Sequence, residues 1–207
     1  IRRYLGQTVQ PSDVLSVWSG LRPLVRHGNE ATSKLSRDHR VIVSKTGLVS
    51  VTGGKWTTYR RMGEDTINHG ASAAGLAAAP STTASLRLHG WAELGAEVDE
   101  SERVYGSDLD AVRALGDVDP ALNEFLHPRL PYRRREVVWA VRHEKARTVE
   151  DVLARRTRAL FLNSAAAIEV APEVSRLLAK ELGRDEQNRV RDLEGFLALA
   201  EGYVYRG

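Results

Sequence analysis

The residues of this chain best suited to chemistry lie together at Gly53-Gly54-Lys55-Trp56-Thr57. They follow an alternating apolar run, Leu48-Val49-Ser50-Val51-Thr52, and precede a stretch of helical character. A strand that ends in two glycines and turns into a helix beside a lysine is suited to holding an electron-rich group. Glycine lets backbone approach a ligand closely. The helix start offers N–H groups and the positive end of the dipole, and lysine adds a full charge. The spacing is not that of the phosphate loop, Gly-x4-Gly-Lys-Ser/Thr. A Gly-Gly-Lys turn can also be no more than a turn.

Two arginines are further candidates. Arg22, in Ser19-Gly20-Leu21-Arg22-Pro23, is biased toward an extended conformation by the following proline. Arg37, in Ser36-Arg37-Asp38-His39, leads into an apolar run. Guanidinium groups bind carboxylates and phosphates through paired hydrogen bonds. Taken singly, an arginine beside a proline is more often structural or exposed, and an Arg-Asp dipeptide is often a local ion pair. The six histidines show no zinc spacing and read as surface or structural, so no metal site is expected. The arginines at 133–135 and 155–156 alternate with acids and lack interleaved aromatics, which argues against a nucleic-acid partner.

Bulk properties bound the reading. The 207 residues are 42% hydrophobic and 28% charged, as in a soluble globular protein. There is no cysteine, which excludes thiolate catalysis, disulfides and cysteine metal sites and fits a cytoplasmic location. No signal peptide and no apolar run of membrane-spanning length is visible. The chain begins Ile1-Arg2-Arg3, and it reads as a piece of a longer polypeptide. Net charge is +3, unevenly spread. Residues 1–70 carry 11 basic and 5 acidic side chains, residues 71–130 carry 4 and 10, and the remainder 15 and 12. A basic first third suits an anionic ligand or surface.

These candidates need elements to position them. Pro11-Ser12-Asp13 before Val14, Leu15, Val17 and Trp18 predicts a helix start. Strands are expected near 40–44 and 48–52, joined by Lys45-Thr46-Gly47, then a helix over 55–69. The small uncharged residues after it read as a linker, or else as a short alanine-rich helix ended by Pro80. Beyond, apolar periodicity gives helices around Leu109–Leu115, Val137–Val141 and 149–160. Another follows Pro172, which marks its start, and stops at Gly183; the last carries Val190, Leu193 and Leu197. If 149–160 is one continuous helix, Arg156 falls on its apolar face and should be buried against a carboxylate. The organisation expected is α+β. Residues 1–70 form one part, 71–90 a linker, and 91–207 an all-α domain of five or six helices.

Four blocks in order resemble the carboxyl part of the FAD-dependent glycerol-3-phosphate dehydrogenases. They are Val17–Val25, Ser36–His39, Gly47–Arg60 and Ala146–Arg158. The resemblance covers roughly 8–70 and 130–205. It implies the carboxyl-end strands and helices of an FAD-binding, D-amino-acid-oxidase-like domain, followed by the family's helical domain. The amino-terminal Gly-x-Gly-x-x-Gly dinucleotide motif does not occur in these residues, so the fragment by itself is expected to be inactive.

The implied activity is oxidation of sn-glycerol 3-phosphate to dihydroxyacetone phosphate, with hydride passing to FAD and electrons onward to membrane quinone. On the matching positions, Arg22 and Arg37 converge on the anionic substrate and Lys55 sits between substrate and flavin. Gly53, Gly54, Lys55, Trp56 and Thr57 form the cofactor-binding turn. The resemblance further implies peripheral contact with a membrane and leaves room for a homo-oligomer. Two other readings stay open: a related flavin oxidase that reduces oxygen, and a non-enzymatic helical interaction module.

Overall fold

The computed structural model describes residues 4, 6, 8–21, 38–77 and 79–206. The chain divides into two compact units. One comprises residues 1–19 and 89–207, the other residues 20–88.

The 20–88 unit contains the hairpin and one helix. β1 (His39–Val43) pairs antiparallel with β2 (Val49–Gly53), with Val41 opposite Val51 and His39 opposite Gly53. Gly47, with φ of 84°, closes the turn, its N–H bonded to the Ser44 carbonyl. Valine and isoleucine dominate these strands because a β-branched chain fits the pleated surface and is stiff in a helix. After β2 comes a single 3-10 turn, Trp56–Thr58, and then α1 (Tyr59–Ala73). Ion pairs Arg60–Glu64 (2.7 Å) and Arg61–Asp65 (3.2 Å) run one turn apart along its face. The helix thus extends past position 69 into the stretch expected as linker, which is otherwise without helix among its described residues. No described side chain of this unit is fully buried; Ile42, Leu48, Val51, Ile67, Leu86 and Leu88 are all exposed.

The larger unit holds the core. Its helices are α2 (Leu109–Val118), α3 (Arg134–His143), α4 (Ala159–Leu162), α5 (Ser164–Leu182) and α6 (Glu186–Ala200). Val137, Val149, Val152, Leu153, Leu160, Val174, Leu178 and Phe196 form the centre of the buried cluster. Asn163 caps α5 by accepting the Ala166 N–H at 3.0 Å, and Gly183 ends it with φ of 63°.

Three local expectations are corrected. Pro172 lies inside α5, not at its start. The residues before it are alanine-rich, with high helix propensity, and their burial offsets the one N–H that proline lacks. The segment 149–160 is not one α-helix: Asp151–Arg156 is a π turn capped by Thr157, and Arg158, in the left-handed region (φ 60°), separates it from α4. Changing the residues per turn rotates Arg156 off the apolar face, so it is exposed. Its guanidinium donates to the Glu144 carbonyl oxygen at 2.5 Å and lies 3.6 Å from the Glu144 carboxylate. The acidic partner exists; the burial does not.

The expected helix after Ser12 is confined to a 3-10 turn, Pro11–Asp13. The apolar residues behind it form no helix; instead their backbone groups find partners on the helical unit. The Leu15 carbonyl accepts from the Ser164 N–H and hydroxyl, both at 3.0 Å, and the Val17 N–H donates to the Tyr203 carbonyl at 2.9 Å. Trp18 meets Phe161 edge-on at 5.3 Å, and Phe161 meets Tyr203 at 5.5 Å.

Candidate functional site

The Gly53-Gly54-Lys55 turn is built as a strand end folded onto a helix start. Both glycines adopt positive φ, 75° and 77°, a region costly for other residues. Gly54 carries a second constraint. A Cβ there would stand 2.5 Å from Met62 Sδ and 3.1 Å from His39 Cβ, so the missing side chain lets the turn pack against α1. Thr58 closes the turn from the other side. Its Oγ1 accepts the Lys55 N–H at 3.1 Å and donates to the Lys55 carbonyl at 2.9 Å.

These constraints place Lys55, Trp56 and Thr57 on the surface at the start of the helical stretch. Trp56 is 86% exposed and stacks on Tyr59, 5.4 Å away and 24° from parallel. Among the described residues no acid forms an ion pair with Lys55. The N–H groups that open a helix have no intrahelical partner. The turn therefore offers backbone donors, an ammonium without an acid partner and an exposed aromatic surface, a donor set that suits an electron-rich planar group. Alongside runs a groove of about 730 Å³ between α1 and residues 79–88, lined by Tyr59, Ile67, Pro80, Leu86 and Leu88.

Of the predicted site residues, Gly53, Gly54, Lys55, Trp56 and Thr57 are brought together in this turn. Arg22 and Arg37 lie outside the described residues. The sequence did not point to the clamp behind the turn, His39 Nε2 to Asp65 Oδ2 at 2.8 Å. The two are 26 positions apart, and only the packing of β1 against α1 joins them. His89 and His127 likewise sit 2.7 and 2.8 Å from carboxylates. No cluster of metal-ligating side chains occurs among the described residues. No helix there is long and apolar enough to cross a membrane.

The Ala146–Arg158 block does folding work. Asp151 Oδ2 accepts the N–H groups of Arg147 and Thr148 at 2.9 and 3.0 Å, while Thr148 Oγ1 accepts that of Asp151 at 3.0 Å. Burial opposes the Asp151 charge, but these bonds outweigh it and hold the carboxyl below its ordinary range. Val149, Val152 and Leu153 of the same block are fully buried.

The two-stranded hairpin leads into the Gly-Gly-Lys turn, a mostly helical unit follows in the chain, and comparison with known proteins identifies the family. The chain belongs to the family of the C-terminal domain of alpha-glycerophosphate oxidase, which matches residues 45–189. It is similar to a protein named "Probable glycerol-3-phosphate dehydrogenase, mitochondrial" from Caenorhabditis elegans, 41% identical over 94% of this chain and 30% of that one. The mitochondrial glycerol-3-phosphate dehydrogenase of Bos taurus is 37% identical over 100% of this chain and 32% of its own. Glycerol-3-phosphate dehydrogenase 2 of Mycobacterium bovis is 32% identical over 99% of this chain and 38% of its own. The chain thus spans only 30% to 38% of the lengths of these relatives.

Proposed function

We propose that this chain is the carboxyl part of an FAD-dependent enzyme that oxidises sn-glycerol 3-phosphate to dihydroxyacetone phosphate and passes the electrons to quinone. The observation that carries this is the Gly53–Thr57 turn, exposed from Lys55 onward and with no acid paired to Lys55 among the described residues, in a member of the glycerophosphate oxidase and dehydrogenase family. Gly53, Gly54, Lys55, Trp56 and Thr57 would hold the flavin, which supplies a two-electron acceptor for the hydride leaving the substrate carbon. Lys55, with the helix start, would stabilise negative charge developing beside it. Arg22 and Arg37 would hold the phosphate and polarise the oxygen that becomes the ketone.

By itself the chain would be inactive. The absence of any fully buried side chain among the described residues of the 20–88 unit, whose apolar residues stay exposed, supports a role as part of a larger fold. Membrane attachment would be peripheral.

The test is steady-state reduction of a soluble quinone by the longer protein that carries this chain. Lys55→Ala and Arg22→Ala should each lower kcat/KM at least about tenfold, the equivalent of one charge-assisted hydrogen bond worth about 1.4 kcal/mol. Unchanged efficiency in both variants would remove the assignment. A second reading, transfer of electrons to oxygen, is favoured by the matching family's description as that of an oxidase. Stoichiometric hydrogen peroxide from glycerol 3-phosphate, with no quinone reduction, would select it.

A further inference from the structure

Both joints of the 53–57 turn are glycines, the residue with the widest choice of φ and ψ. A turn made this way has little rigidity of its own. Lys55 and the opening N–H groups of the helix stand in a fixed place only if contacts outside the turn hold them there.

Those contacts come from the strand before the turn and the helix after it. His39 stands opposite Gly53 in the β1–β2 ladder, and its Cβ lies close to Gly54. Met62 of α1 fills the rest of the space at Gly54. Asp65 follows Met62 by three residues, on the same helix face. There its Oδ2 meets His39 Nε2 at 2.8 Å. A carboxylate can only accept, so Nε2 carries the hydrogen. The other carboxylate oxygen lies 3.2 Å from Arg61 Nε, one turn back along α1. The two side chains are 18% and 24% exposed, so the bond is largely shielded from competing water. A ring of contacts results. It runs from Gly53 across the ladder to His39, then to Asp65, and back down α1 to Thr58, which is bonded twice to Lys55.

We propose that His39 and Asp65 are positioning residues for the flavin contact. Their bond fixes the angle between the end of β2 and the helix start, and so fixes where Lys55 and the helix N–H groups meet the flavin. They act through the turn and not on the reacting atoms. This role deepens the flavin reading of the turn and rests on it. Donors stabilise developing charge without reorganisation only when their geometry is set beforehand, and a supporting layer of side chains is what sets it. Under the same reading the phosphate is held by Arg22 and Arg37, so loss of the clamp should fall on turnover and not on substrate binding.

The experiment uses the longer protein that carries this chain. His39→Ala and Asp65→Ala should each lower kcat about tenfold, with KM for glycerol 3-phosphate changed by less than about twofold. The midpoint potential of the bound flavin should fall by about 30 mV, the two-electron equivalent of tenfold. The double variant should be no worse than either single one, because all three lose the same bond. His39→Gln, whose amide can donate from near the place of Nε2, and Asp65→Asn, which keeps an acceptor, should restore most of both quantities. Measured without flavin, hydrogen exchange across residues 53–58 should quicken about tenfold in the alanine variants, while exchange across 164–182 stays as in the wild type. Should the alanine variants not fold, His39→Phe, which keeps a ring and loses the bond, takes their place. Wild-type kcat, potential and exchange in the variants would overturn the clamp. A loss of kcat and KM together, with faster exchange everywhere, would overturn it too, since the pair would then merely hold the fold. A wild-type protein that holds no flavin would instead remove the reading of the turn, and the clamp's role with it.

Discussion

Gly54 shows how one residue serves two masters. Its positive φ turns the chain from β2 into the helix, and its missing side chain makes room for Met62 and His39. Gly54→Ala should destabilise by roughly 1–2 kcal/mol from the left-handed backbone alone, more if Met62 cannot move aside. A fall in urea midpoint with an unchanged m-value would record it. The turn was legible because a Gly-Gly-Lys between strand and helix patterns has few interpretations. The His39–Asp65 clamp was not, because nothing in either residue's local pattern names the other. The same holds for Glu136. An acid three residues past Arg133 reads as an ordinary helix start, and only the fold reveals that it is buried and bonded to the Tyr105 hydroxyl.

At the scale of elements, propensity and context divided the outcome. Apolar period located α2, α3 and α6, and strand alternation with a glycine turn located the hairpin. They failed where tertiary partners overrode local preference: the non-helical 14–19 segment, the π turn at 151–156 and the helix running through Pro172. α5 depends on its true start. Asn163→Ala removes the bond to the Ala166 N–H and should cost about 1 kcal/mol. Thermal unfolding would show it as a lowered Tm, whereas a helix beginning at Pro172 would not notice the change.

For the whole molecule, residues 8–19 are part of the helical unit although the rest of that unit begins only at residue 89. Leu15 and Val17 pair their backbones with Ser164 and Tyr203, and Trp18 completes an aromatic row with Phe161 and Tyr203. Trp18→Ala should therefore destabilise the helical unit, by about 0.5–1.5 kcal/mol from the edge contact beyond lost burial. The measurement is chemical unfolding followed by helical circular dichroism. An unchanged midpoint would mean that the segment does not hold to the helices in solution.

By itself the sequence determined the kinds of element, most of their places in the chain, and the turn that sets a lysine at a helix start. Each of these is encoded by neighbours within a few residues, through period, caps and glycine conformation. Tertiary structure alone decided which charges meet, which segment straps the helical unit, and which carboxylate is shut away from water. Those outcomes depend on burial and on partners distant in the chain, and burial, more than composition, sets the free energy of an ion or an open hydrogen bond.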